Sequence, residues 1–220
     1  MKKFLPFLGI IVILIIGVLI YQNLIKKEEE ALPEEKVSMP EKALEGKSIA
    51  MIIAFRDFRD EEYFTPREIL EKAGAEIKTA SNKMGRAIGA DGGDVEIDFL
   101  VSELNPADFA AMVFIGGPGA LKHLDNEDSY KIARQAVSQD KVLAAICIAP
   151  VILAKAGILA GKKATVWTNP MDKSAVKILE DKNAVFEEKP VVVDGKIVTG
   201  NGPAAAEKFG QAIIEVLTGK

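Results

Sequence analysis

Cysteine, histidine and tryptophan each occur once in this 220-residue chain, as Cys147, His123 and Trp167. A single cysteine excludes an intrachain disulfide, and one cysteine with one histidine is too few soft ligands for an ordinary zinc site. No metal is expected, and any metal would have to be held by carboxylates. A large excess of one charge is also missing: 28 Lys and Arg against 32 Asp and Glu leave a formal net charge of −4. Such a balance does not build a surface for neutralising phosphates, so no nucleic-acid partner is expected. Small molecules or proteins are the expected partners.

One long uncharged run is present, from Phe4 to Tyr21, mostly Ile, Leu and Val and interrupted only by Pro6, Gly9 and Gly17. At about 1.5 Å of rise per residue it is long enough to cross a bilayer. Tyr21-Gln22-Asn23-Leu24 offers no small-x-small cleavage site, so the run reads as an uncleaved signal anchor. Lys2 and Lys3 precede it and Lys26 and Lys27 follow it, the latter trailed by Glu28, Glu29 and Glu30. With the terminal amine, this pattern favours a cytoplasmic N-terminus and a single-pass protein with an extracytoplasmic domain. The expected organisation is a membrane anchor over 1–25, a charged tether over 26–46, rich in Glu and Lys with Pro33 and Pro40, and one α/β domain over 47–220.

Beyond the tether, strand-like and helix-like periods alternate. Compact apolar runs at 49–55, 111–115 and 142–146 suit buried parallel strands, 76–80 fits a further strand, and 61–73, 127–138, 150–156 and 204–217 suit helices. Asp91-Gly92-Gly93 breaks 86–97 into a hairpin-like excursion, and 164–167, 191–194 and 197–199 read as edge or hairpin strands. The alternation argues for a mostly parallel sheet covered on both faces.

In such sheets ligands bind beyond the carboxyl ends of the strands, and three features converge there. Cys147 directly follows Val142-Leu143-Ala144-Ala145-Ile146 and precedes a helix, which places the thiol near orphan N–H groups that favour a thiolate. A cysteine at the end of an apolar strand is frequently just a small buried hydrophobe. Gly116 and Gly117 end the neighbouring run and can bring a backbone N–H close to a ligand, although Gly116-Gly117-Pro118-Gly119 is first a loop and lacks the Lys-Ser/Thr of a P-loop. Glu62 follows the first strand on the first turn of its helix, but its neighbours Asp57, Asp60 and Glu61 also suit a solvated charged face.

At these residues the sequence resembles the ThiJ/PfpI family, over about Lys47 to Lys220. The matching stretches are Asp60-Glu61-Glu62-Tyr63-Phe64-Thr65-Pro66, Phe114-Ile115-Gly116-Gly117-Pro118-Gly119, Ala145-Ile146-Cys147-Ile148-Ala149-Pro150 and Val193 through Pro203, in that order across one domain. The resemblance implies a flavodoxin-like three-layer sandwich, a nucleophile elbow carrying Cys147 and a homodimer. It makes Glu62 the carboxylic acid that contacts the cysteine, protonated because a facing thiolate raises its pKa. It also assigns the oxyanion pocket to the N–H groups of Gly117 and Ile148, with Gly116, Arg86 and Asn169 as substrate-binding candidates.

The departures are informative. Many protease-like relatives place a histidine directly after the cysteine, where this chain has Ile148, and Asn169 stands where deglycase-like members carry a second histidine. His123 matches no catalytic position of the family. The resemblance therefore implies cofactor-independent glyoxalase III or deglycase chemistry on a small reactive carbonyl or glycated substrate more readily than cysteine peptidase activity. The alternative is a redox sensor or protective binding protein whose thiol is oxidised to sulfenate and sulfinate.

Overall fold

The computed structural model describes residues 42–219. The run Phe4–Tyr21 and most of the charged tether lie outside the described residues. The expectation of a membrane localisation is corrected here, because no helix among the described residues is long and apolar enough to cross a membrane. The two longest, of 13 residues each, reach only about 20 Å at 1.5 Å per residue, against a hydrocarbon core of about 30 Å.

The chain begins with β1 (Ser48–Ile53), the short β2 (Arg56–Phe58) and α1 (Asp60–Lys72), followed by β3 (Glu76–Ser81). A hairpin of β4 (Arg86–Gly89) and β5 (Asp94–Glu96) and the short β6 (Phe99–Leu100) lead to β7 (Ala111–Phe114). Next come α2 (Ala120–His123), α3 (Glu127–Ser138), β8 (Val142–Ile146), α4 (Pro150–Lys155) and β9 (Lys163–Ala164). The remainder is α5 (Ser174–Asp181), β10 (Val185–Phe186), β11 (Val191–Asp194), β12 (Ile197–Gly200) and α6 (Ala206–Thr218).

Seven strands form the main sheet, in the order β11-β12-β8-β7-β1-β3-β6. Every pair in it is parallel except β11 with β12. Buried parallel strands need apolar residues on both faces, and β1 shows how they divide. Ile49, Met51 and Ile53 join one core with Tyr63 and Leu70 of α1 and Phe209 and Ile213 of α6. Ala50 and Ile52 join the other, with Ile132 and Ala136 of α3 and Ile152 of α4. The expected mostly parallel sheet with both faces covered is what the domain contains.

Register carries the fold to the site. Ile52 pairs with Phe114, and Phe114 with Ala145, so β1, β7 and β8 end side by side at one rim. Chain order reverses there, since β3 lies on one side of β1 and β7 on the other, which makes the rim a switch point for ligand binding.

Some boundaries differ from expectation. The segment expected as a strand over 164–167 pairs only at Lys163–Ala164, in a separate two-stranded sheet with β10. Helix α5 was absent from the sequence reading, because Pro170 and the polar residues before Ser174 mask a short amphipathic turn. The excursion over 86–97 does pair as a hairpin, and β2 adds a third strand to it.

This hairpin is fastened to the start of α1. The Asp60 carboxylate accepts from the N–H groups of Asp91 at 2.8 Å and Gly93 at 2.6 Å. Replacing Asp60 by alanine is expected to destabilise the domain in urea by about 1–3 kcal/mol and to speed amide hydrogen exchange at Asp91 and Gly93. Unchanged exchange at both amides would show that another contact holds the hairpin.

Candidate active site

Strand β8 runs directly into Cys147, whose φ of +63° is left-handed. For a residue with a Cβ this conformation costs roughly 1–3 kcal/mol and persists only where neighbouring bonds determine it. Two bonds do so: the Cys147 N–H donates to the Gly200 carbonyl at 2.9 Å, and the Trp167 N–H donates to the Cys147 carbonyl at 2.7 Å. The strand-to-helix elbow expected from the sequence is present. Its helix is short, however, and begins only at Pro150.

Glu62 lies on the first turn of α1 and is fully buried. Neither of its carboxyl oxygens completes a hydrogen bond of regular geometry. The Cys147 thiol and the Gly116 backbone amide nevertheless lie close enough to influence its titration. Gly116 sits between thiol and carboxyl. A Cβ on Gly116 would fall 2.6 Å from Cys147 Cβ and 2.7 Å from Glu62 Oε2, so only glycine leaves the two side chains in contact range. Gly117, with φ of +102°, has no room for a side chain either, since its Cβ would lie 2.4 Å from the Arg59 nitrogen.

Beside Cys147 opens a cavity of about 290 Å³, lined by Arg59, Gly117, Pro118, Leu121, Ile148 and Trp167 together with the cysteine. Of the residues singled out in the sequence, Cys147, Gly117 and Ile148 line it, while Glu62 and Gly116 lie directly behind the thiol. Arg86 and Asn169 are not among the lining residues. Arg86 is exposed on β4 and paired with Asp94, and Asn169 Oδ1 accepts from the Met171 and Asp172 amides in a tight turn. His123, at the end of α2, is not in the lining.

Arg59 and Trp167 were missed. A run of alternating charge, Arg56-Asp57-Phe58-Arg59-Asp60, hides Arg59 as surface. Its place three residues before Glu62 and at the N-cap of α1 was the available signal. Among the described residues no group of three or more His, Cys, Asp or Glu side chains is arranged to hold a metal ion.

The DJ-1/PfpI family model matches residues 47–216. This chain belongs to the DJ-1/PfpI family. It is similar to an uncharacterized protein of Methanocaldococcus jannaschii, 35% identical and covering 79% of this chain and 84% of that protein. It is also similar to a deglycase of Pyrococcus furiosus, 32% identical over 76% of this chain and 98% of the relative. The crystal structure of a ThiJ/PfpI domain protein from Brachyspira murdochii superposes with a TM-score of 0.74 at 34% identity, covering 79% of this chain and 97% of that one.

In this DJ-1/PfpI chain burial dominates the electrostatics of the pair. Burial raises the Glu62 pKa from 4.5 to about 7, opposed by the thiol, Arg59 and the Gly116 amide. Burial also pushes the Cys147 thiol up, with the Glu62 carboxylate adding to it and the Gly117 and Ile148 amides pulling it down. Thiol and carboxyl therefore titrate as a coupled pair. It gives up one proton near neutrality and holds the second firmly, because two charges cannot share the pocket.

Two outcomes follow. Gly116→Ala is expected to wedge the pair apart, slowing alkylation of Cys147 and destabilising the domain by about 1–3 kcal/mol; wild-type alkylation kinetics would show that the gap is not tight. The second concerns pH. Because the folded state binds the Glu62 proton more tightly than the unfolded chain, this stabilisation is full below pH 4.5 and is lost as pH rises to about 7. Glu62→Gln should therefore gain about 3 kcal/mol relative to wild type between pH 4.5 and pH 8 in denaturant unfolding. A pH-independent difference would place the carboxyl in water.

Proposed function

We propose that this DJ-1/PfpI protein is a cofactor-independent enzyme of glyoxalase III or deglycase type, with Cys147 as nucleophile and Glu62 as its proton partner. The observation that carries the proposal is the fully buried, otherwise unpartnered Glu62 carboxyl behind the thiol of a small cavity. A carboxyl with a pKa of about 7 is matched to moving protons at neutral pH. The deglycase name of the Pyrococcus furiosus relative supports the same reading.

With methylglyoxal as the simplest substrate, the sulfur of Cys147 attacks the aldehyde carbon. A carbon–sulfur bond forms, the thiol proton passes through Glu62 to the carbonyl oxygen, and a thiohemiacetal results. The amides of Gly117 and Ile148, which face the sulfur, stabilise charge developing at this end of the cavity. The Glu62 carboxylate then removes the former aldehyde C–H proton and returns it at the neighbouring carbon, while the hydroxyl proton on the attacked carbon passes to the neighbouring oxygen, leaving a 2-hydroxy thioester. Water hydrolyses that thioester to a 2-hydroxy acid and regenerates the thiol. Ile148 cannot supply an acid for an amine leaving group, so the chemistry suits carbonyl substrates better than peptides.

The test is turnover of methylglyoxal by the full chain. Cys147→Ala should abolish it, and Glu62→Gln should lower kcat/KM by about 10²-fold or more. In wild type, log kcat/KM should climb with pH and level off above about 7, as the pair loses its first proton. In Glu62→Gln any residual activity should level off at higher pH, since the buried thiol must then ionise alone. A break that stays in place, or turnover that survives Cys147→Ala, would overturn the assignment.

A further inference from the structure

The cavity wall beside Cys147 is apolar except for one cation. Pro118, Leu121, Ile148 and Trp167 offer carbon surface, and Arg59 is the charged side chain among the lining residues. Its side chain is about one-third exposed, at 33%. Asp91 holds it through Nη1 alone, at 3.0 Å and 3.2 Å to the two carboxylate oxygens. No protein acceptor among the described residues engages Nε or Nη2. The charge is felt at the reacting groups, since Arg59 is coupled electrostatically to both Glu62 and Cys147.

The position of this arginine is built. Its backbone N–H donates to the Gly116 carbonyl at 3.2 Å, tying the start of α1 to the glycine loop. Asp91, its side-chain partner, belongs to the turn that Asp60 clamps through the Asp91 and Gly93 amides. The residue is thus held at its backbone by the glycine loop and at its guanidinium by Asp91, with side-chain donors left over in a residue that lines the same cavity as the thiol.

Resting on the catalytic reading above, we propose that Arg59 makes this cavity selective for small carbonyl compounds bearing a carboxylate next to, or one carbon from, the carbon that Cys147 attacks. A guanidinium edge with two unengaged donors matches the two oxygens of a carboxylate. A phosphate dianion would bring a second charge into a cavity lined by one cation and otherwise apolar. Glu62 opposes an anion only when ionised, and its burial behind Gly116 keeps it protonated over much of the acid range.

Charge selectivity can be read without turnover by comparing alkylation of Cys147 in the full chain by iodoacetate and by iodoacetamide. These reagents form the same carbon–sulfur bond and expel the same iodide, and they differ in carrying a carboxylate or a neutral amide. Their rate ratio within one variant cancels any change in thiolate fraction. The expected result is an iodoacetate-to-iodoacetamide ratio about tenfold or more higher in wild type than in Arg59→Met, with Arg59→Lys in between. An unchanged urea-unfolding midpoint in Arg59→Met shows that the domain is folded; if the midpoint shifts, the same ratio measured in Arg59→Gln decides. A ratio within twofold of wild type in the charge-removing variants would overturn the proposal. Methylglyoxal carries no charge, so its turnover tests the catalytic reading separately: loss of turnover with retained charge selectivity would sink the enzyme and leave the anion site.

Discussion

A carboxyl and a thiol share one buried pocket, separated by a residue that has no side chain, and the rest of the domain is arranged around that contact. Glu62 comes from the helix after β1 and Cys147 from the end of β8, with β7 lying between those strands in the sheet. The two can meet only because β7 gives way to Gly116 at the rim, where any Cβ would strike both. Parallel pairing in register brings the three strand ends level, and the left-handed turn at Cys147 directs its thiol into the cavity. A strained backbone, an unpartnered buried acid and a missing side chain each have a local cost, and all three fall within one contact.

Burial decides the chemistry of that contact. In water a thiol and a glutamate titrate several units apart and largely ignore one another. In this pocket desolvation raises both; the Glu62 carboxylate suppresses ionisation of the thiol, while the thiol pulls the Glu62 pKa part of the way back down. The result is a pair that exchanges one proton near neutrality, which suits a reaction that must move protons to and from a carbonyl compound without a histidine. Arg59 moderates the pair from the cavity side, and Asp91 in turn keeps Arg59 in place from the hairpin. The hairpin thereby has a role at the site although its exposed Arg86 lies apart from the cavity wall.

Much of the architecture was legible in the order of residues. The apolar runs at 49–55, 111–115 and 142–146 contain β1, β7 and β8 almost residue for residue, because strands buried on both faces allow no polar interruption. Helices α1, α3 and α6 were visible from their amphipathic spacing. Helix α5 was not, being short and flanked by Pro170 and a polar turn, and the strand expected to continue to Trp167 stops at Ala164 because only two residues there find a partner.

The sequence by itself determined which residues stand at strand ends, that the chain has a single thiol without an adjacent histidine, and that Gly116 and Gly117 interrupt an apolar run. These are local properties of residue type and spacing. Only the tertiary structure decided that Glu62 is fully buried behind that thiol, that Arg59 rather than Arg86 lines the cavity, and that Asn169 is engaged in its own turn. Burial and charge coupling depend on what distant segments bring to the same place. A glutamate among Asp57, Asp60 and Glu61 reads as solvated until the Gly116 loop and Cys147 are brought against it.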